Sequence, residues 1–192
     1  PEILSLGSEI FPCAAPRNPL KYARSLRAIL RNHGPYDIVH SHLHHFNGLV
    51  LREANRMGVP IRIAHCHNDT QAQQAASTPL RRAYLRLSKR WVQRYATGGI
   101  AVSPAAAVSL FGERWNQDHR WTVFGCGIDL TPFESTADRE RVRLELGIPQ
   151  DAFVIGHVGV FREQKNHPFL IEILAEVAKR RPEARLLLVG DG

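Results

Sequence analysis

Cysteine is scarce in this chain. Cys13, Cys66 and Cys126 are its 3 cysteines, widely spaced, and no two form a C-x-x-C pair. That pattern argues against a disulfide-stapled scaffold or a thiolate zinc module and reads as reduced thiols of a cytosolic protein. Long apolar runs are missing as well. None approaches the roughly 20 residues that span a bilayer, and no signal-peptide pattern opens the chain. There are no internal repeats and no low-complexity segments. Acidic side chains are in the minority, 18 Asp+Glu against 25 Lys+Arg, for a net charge of +7. No aromatic-basic recognition module accompanies that excess, which argues against nucleic acid as the partner.

What remains is an ordinary globular composition, 44% hydrophobic and 22% charged over 192 residues, enough for one large or two modest domains. Position 1 is proline, and residue 192 follows a buried-type strand where a parallel sheet would continue. Both ends therefore look cut, and the chain is expected to be a piece of a longer protein.

Strand and helix patterns alternate throughout, which predicts an α/β class with parallel strands. Asn18–Asn32 reads as a helix with Leu20, Ala23, Leu26, Ile29 and Leu30 on its apolar face, stopped by Gly34-Pro35. A short strand follows over Tyr36–His40, then a helix over Phe46–Met57 and a strand over Ile61–His65. Gln71–Thr78 is polar without periodicity and reads as a loop or lid. Pro79 precedes a long basic helix to about Tyr95; Gly99–Ser103 is a strand, Pro104–Phe111 a helix capped by Ser103, and Trp121–Phe124 a strand. The domain change is expected in the interdomain connection 126–136, with one domain over 1–125 and the next over 137–192. Glycines flank Cys126 there, and Asp129–Thr136 is loop-like.

The basic helix carries Arg81, Arg82, Arg86, Lys89, Arg90 and Arg94, with Tyr84, Leu87, Trp91 and Tyr95 at helical spacing between them. Such a helix can lie peripherally on an anionic membrane. It can equally be the solvated face of a packed helix.

The most informative stretch is Phe153–Pro168. An apolar run ends in glycine-spaced turns at Gly156 and Gly159, and a polar loop then carries Arg162, Lys165 and Asn166. Pro168 opens a helix with Phe169, Leu170, Ile173, Leu174, Val177 and Ala178 on one face, and a second strand, Leu186–Val189, leads to Gly190-Asp191-Gly192. This is a βαβ unit whose loop directs backbone N–H groups, a helix N-terminus and a lysine at one point, an arrangement suited to a phosphate. Gly190 and Gly192 fall at the carboxyl end of the next strand, where open α/β sheets bind ligands. Histidine is dense upstream. His40 and His42 end one strand and His65 and His67 end the next, so alternation puts each pair on one face. Two readings stand beside each other: a metal site of metallohydrolase type built on H-x-H with Asp69, and a set of exposed, hydrogen-bonded histidines, above all His44 and His45. Asn68 and Asp69 cap the turn or line the site.

The segments YDIVHSH (36–42), VPIRIAHCHND (59–69), GIDLTPF (127–133), GHVGVFREQKNHPFLIEI (156–173) and LLLVGDG (186–192) occur in one order. With them the chain resembles retaining, family-four glycosyltransferases of the bacterial exopolysaccharide and capsule type. The resemblance implies two Rossmann-like domains facing a cleft, the GT-B arrangement, both incomplete in this chain. It implies transfer of a hexosyl unit, with retention, from a nucleotide sugar to a polysaccharide or lipid-linked acceptor. No cofactor and no required metal is implied, so cations and backbone would hold the diphosphate. Lys165 takes the role of stabilising charge on the departing β-phosphate, and His67, with His65 the alternative, lies near sugar and acceptor. Gly156, Gly159, Arg162, Asn166, Gly190 and Gly192 complete the donor-phosphate set. Two positions depart from the family pattern. Val160 replaces the arginine that follows the second glycine, which leaves Arg162 as the nearest substitute. Cys126 replaces an asparagine before Gly127-Ile128-Asp129. The paired-glutamate segment of the family is not in the chain, so the chain by itself is expected to be inactive. The location implied is cytoplasmic, peripheral at the inner face of the membrane if the basic helix docks there. Two other functions stay open, a nucleotide-sugar epimerase of the same fold and a degenerate sugar-nucleotide binding module.

Overall fold

The computed structural model describes residues 2–134 and 137–192. They form two compact units, Pro1–Gly127 and Ile128–Gly192. The end of the expected connection, Ser135 and Thr136, lies outside the described residues.

In the first unit a short helix α1 (Glu2–Ser5) precedes α2 (Pro19–Asn32), β1 (Ile38–Ser41), α3 (Asn47–Arg56), β2 (Ile61–Cys66), α4 (Gln71–Ala75), α5 (Pro79–Tyr95), β3 (Gly98–Ala101), α6 (Pro104–Phe111) and β4 (Trp121–Val123). The four strands run parallel in the order β1-β2-β3-β4. Three helix starts share one local chemistry. Asn18, Thr78 and Ser103 each sit in extended backbone before a proline, and each side-chain oxygen accepts from an N–H three residues on, at 3.0, 3.4 and 3.2 Å. The cap satisfies an orphan donor, and the proline needs none.

The core gathers Leu51, Ala64, Cys66, Val92, Ala101, Ala106, Leu110, Phe111 and Trp121 between the sheet and its helices. Two glycines set the closest approaches. Phe111 and Trp121 stack at 4.4 Å and 8° above Gly99, where a Cβ would stand 2.6 Å from each ring. A Cβ on Gly48 would stand 2.5 Å from the Ser88 carbonyl oxygen, so α3 and α5 meet backbone to backbone.

Several sequence expectations are corrected here. Gln71–Thr78 is not all loop: Gln71–Ala75 is helical, because Asp69 Oδ1 accepts from Gln71 N–H at 2.9 Å and Gln74 Nε2 donates to Thr70 Oγ1 at 2.8 Å and Ser109 Oγ at 3.0 Å. Leu20, assigned to the buried face of α2, is 72% exposed, while Ala23 and Leu30 are buried. On α5 the buried stripe is Leu85, Ser88 and Val92; Tyr84 and Leu87 are exposed. Lys89 is half-buried, unlike the other cations of that helix, and burial holds its ammonium below the usual lysine range.

In the second unit, α7 (Thr131–Glu134) makes a short helix inside a stretch expected to be loop. Next come α8 (Arg139–Glu145), β5 (Val154–Val158), α9 (His167–Ala178) and β6 (Arg185–Val189), with β5 and β6 parallel and Gly156 opposite Leu187. Leu170, Leu174, Val177 and Ala178 of α9 are half-buried. Phe169 and Ile173, expected beside them, are exposed at 53% and 36%, since two strands cover only part of the apolar face.

Filling the contact at Gly48 tests the packing. Gly48→Ala forces its Cβ onto a backbone oxygen rather than a side chain that could turn away, and is expected to cost about 1–3 kcal/mol in chemical denaturation. Unchanged stability would contradict the α3–α5 contact.

Candidate functional site

In the first unit, the carboxyl ends of β1 and β2 carry the histidines. Ser41 lies opposite Ala64 in the parallel register, so His42, just past the end of β1, follows beside His65 of β2. His40 Nε2 is 3.1 Å from His65 Nδ1, and His42 Nδ1 is 2.7 Å from His67 Nε2. The rings crowd at centroid distances of 4.2–5.2 Å, with His40 and His65 inclined by only 3°. Charging any of these rings would set like charges side by side. Desolvation first, then the neighbouring imidazoles, push His40 and His42 down from the usual histidine range and His65 down to about 4.

The chain is turned at this rim by a residue not singled out in the sequence. Asn47 is buried at the start of α3. Its Oδ1 accepts from Ser41 Oγ at 2.6 Å and Leu43 N–H at 2.8 Å, and its Nδ2 donates to the His65 carbonyl at 3.1 Å. One amide thus ties the end of β1, the following loop and the end of β2. The available signal was an Asn-Gly pair directly after a strand and its polar loop, at the first turn of a helix. Within that loop His44 adopts a positive φ of 50°, a region that histidine tolerates better than most side chains.

His44 and His45 are not the exposed pair envisaged. Both are half-buried. His44 Nε2 is 3.1 Å from the Asn68 carbonyl and His45 Nε2 is 3.3 Å from Thr70 Oγ1. The Ser88 hydroxyl donates to the His45 carbonyl, which fixes the loop on α5. Burial, with His44, Lys89 and Arg81 nearby, pushes His45 down to about 3.

A cavity of about 310 Å³ opens between α2, α3 and α5, lined by Leu20, Phe46, Leu49, Tyr84 and Trp91. The Glu53 carboxylate, buried beside it, lies 3.2 Å from Arg27, 3.0 Å from Arg56 and 4.0 Å from Arg52. Arg52 also stacks on Trp91 at 4.5 Å. Sequence periodicity alone did not expose this charged wall, because its members come from separate helices.

In the second unit, the loop between β5 and α9 brings Gly159, Lys165 and Gly190 together. Gly159 N–H donates to the Val189 carbonyl and Phe161 N–H to the Asp191 carbonyl, each at 2.8 Å. Gly190 has φ 154°, and a Cβ there would stand 2.1 Å from the Gly159 carbonyl oxygen. The alkyl chain of Lys165 runs over Gly159: its Cε and Cδ lie 3.4 and 3.5 Å from where a Gly159 Cβ would be. Asn166 takes the left-handed conformation, φ 48° and ψ 49°, and turns the chain into α9, which starts at His167, one residue before the proline expected to open it. Gly156 lies within β5 rather than at the turn expected there, with nothing within 4 Å of where its Cβ would be, and Gly192 lies against Phe161. Arg162, Phe161, Glu163 and His167 line an open depression. Lys165 and Arg162 are exposed and make no ion pair or hydrogen bond through their side chains among the described residues.

The fold is shared with solved structures. The crystal structure of Anabaena Alr3699/HepE in complex with UDP superposes with a TM-score of 0.69 at 19% identity, covering 95% of this chain and 47% of that one. The class is thus α/β of the GT-B type, as the sequence implied. Residues 6–132 match the family described as Glycosyltransferase Family 4, and the chain belongs to that family. EpsF of Bacillus subtilis (strain 168), which carries a provisional glycosyltransferase name, is 34% identical over the whole of this chain and 50% of its own length. The D-inositol 3-phosphate glycosyltransferase of Arthrobacter sp. (strain FB24) is 32% identical over 80% of this chain and 37% of its own. The chain therefore spans about half the length, or less, of these curated relatives. No described helix is long and apolar enough to cross a membrane.

Two outcomes are expected from this geometry. Asn47→Ala leaves the Leu43 N–H and the His65 carbonyl without their partner and should cost about 2–4 kcal/mol in urea unfolding. A loss below about 0.5 kcal/mol would show that the clamp is dispensable. For His45 the folded chain resists the proton that the unfolded chain accepts. Its contribution is therefore intact above the usual histidine value of 6.5 and is lost as pH falls from there toward about 3. His45→Asn should flatten the acid limb of stability against pH over that window, and an unaltered limb would refute the assignment.

Proposed function

We propose that this chain forms part of a glycosyltransferase that moves a hexosyl unit, with retention, from a nucleotide-sugar donor to a polysaccharide or lipid-linked acceptor. The observation that carries the donor side is the Gly159–Lys165 loop. An unpaired lysine packs over a glycine whose N–H continues the strand pairing, beside the N-terminus of α9. Cleaving the anomeric C–O bond puts negative charge on the leaving diphosphate. A positioned ammonium, backbone N–H groups and a helix N-terminus stabilise that charge as it develops. These groups do the work without a cofactor or required metal, and Arg162 supplies the second cation in place of Val160. The nucleoside diphosphate bound by HepE supports a nucleotide donor. On the acceptor side, His67 or His65 orients the sugar or acceptor hydroxyl through its imidazole.

The protein acts in the cytoplasm at the inner face of the membrane. Exposed Leu80, Tyr84 and Leu87 lie on α5 with Arg81, Arg82, Arg86 and Arg90, the mixed apolar and basic character that suits an anionic lipid surface. The alpha-monoglucosyldiacylglycerol synthase of Acholeplasma laidlawii, 34% identical over 41% of this chain and 21% of its own, has a lipid in its name and supports a lipid-linked acceptor. Val160 favours one second reading, a binding module that holds the sugar nucleotide without turnover.

Lys165→Ala separates the two readings. In an assay of the full-length protein of which this chain is part, with a sugar-nucleotide donor, the variant should lose about 10²-fold or more in kcat while the donor KM changes only a few-fold. Unchanged kcat would refute the role of Lys165. Donor binding without turnover in that full-length protein would favour the binding module.

A further inference from the structure

We propose that His40, His42 and His65 form a binding site for a divalent transition metal, with water in the fourth position. The inference uses only the rim of the first unit; an ion held there takes up His65 and leaves His67 as the residue that orients the acceptor.

One ligand nitrogen from each of His40, His42 and His65 lies within 4.8 Å of the other two. A zinc ion bound to nitrogens at about 2.0–2.1 Å in a tetrahedron separates those nitrogens by roughly 3.3 Å. The His40–His65 contact at 3.1 Å is already near that edge length, so small ring rotations open the space for an ion. The backbone has paid most of the ordering cost. Two strands in fixed register and the Asn47 clamp hold the three Cα positions before any metal arrives. His65 uses Nδ1 toward His40 and leaves Nε2 buried with no hydrogen-bond partner among the described residues. Nδ1 is therefore the nitrogen of His65 that faces the ion.

The donor set selects the ion. All the protein donors are imidazole nitrogens, and Asp69, two residues after His67, is engaged with the Gln71 N–H. Imidazole suits zinc, copper and nickel, whereas magnesium and calcium require oxygen. On binding, the ring whose N–H faces its neighbour carries that proton on its other nitrogen instead, so each ligand nitrogen offers a lone pair and every ring stays neutral.

The test uses the purified protein after chelator treatment and dialysis, titrated with Zn(II) against a chromophoric competitor and with Co(II) by visible absorption. One equivalent of Zn(II) should bind at micromolar concentration or tighter, and bound Co(II) should show the intense visible bands of a four-coordinate site with three imidazoles and water. His42→Ala and His65→Ala should each weaken Zn(II) binding at least tenfold, and His119→Ala, far along the sequence on an exposed turn, should not. In the unaltered protein, Zn(II) should protect His40, His42 and His65 from diethylpyrocarbonate, mapped by mass spectrometry, which makes the result independent of how the variants fold. Mg(II) should protect none of them. Absence of saturable Zn(II) binding, or binding undiminished in both variants with no protection of these rings, overturns the proposal.

Discussion

The first unit depends on the side-chain amide of Asn47. A parallel sheet leaves its carboxyl edge without internal partners, and each strand must turn away into a helix. Here a single buried amide accepts from the end of one strand and its loop and donates to the end of the next. A buried amide is stable only when its bonds are made. The same constraint that keeps Asn47 satisfied therefore fixes the loop that carries His42 and the strand that carries His65. The histidine rim is ordered by a residue that does not itself face it.

Close approach of helices supplies the second constraint. Gly48 lets α3 lie against the backbone of α5, and Ser88 at that contact also bonds the His45 carbonyl. The loop is thus pinned from beneath as well as from the side. Glu53, one turn along α3, gathers Arg27 and Arg56, which ties α2 to the same helix. Packing, an ion pair and the Asn47 amide all converge on a helix of ten residues.

Much of this was legible in the sequence for a local reason. Asn18-Pro19, Thr78-Pro79 and Ser103-Pro104 announce helix starts because the cap and the proline act within four residues. The alternation of strands and helices gave the class, and His40, His42, His65 and His67 share an edge because strand periodicity put each pair on one side. What escaped was decided by partners far along the chain. Gln71–Ala75 reads as loop until Ser109, in another helix, accepts Gln74. Tyr84, Leu87 and Trp91 recur at helical spacing and line a cavity with residues of α2 and α3, yet the buried stripe of α5 is Leu85, Ser88 and Val92. Neither the role of Asn47 nor the inward position of Lys89 has a signature at short range. In the second unit Phe169 and Ile173 obey the helical period but lack a neighbouring surface to cover them.

The meeting of Gly159 and Gly190 has a consequence for recognition. Where two strands end in side chains, the wall offered to a ligand is soft, since rotamers can adjust to several shapes. Here the ends touch main chain to main chain, with no atoms between them to rearrange. Such a wall behaves as a gauge of fixed depth. In the proposed donor role it sorts molecules by how closely their oxygens can approach peptide groups, and leaves choice among larger features to the exposed cations around it.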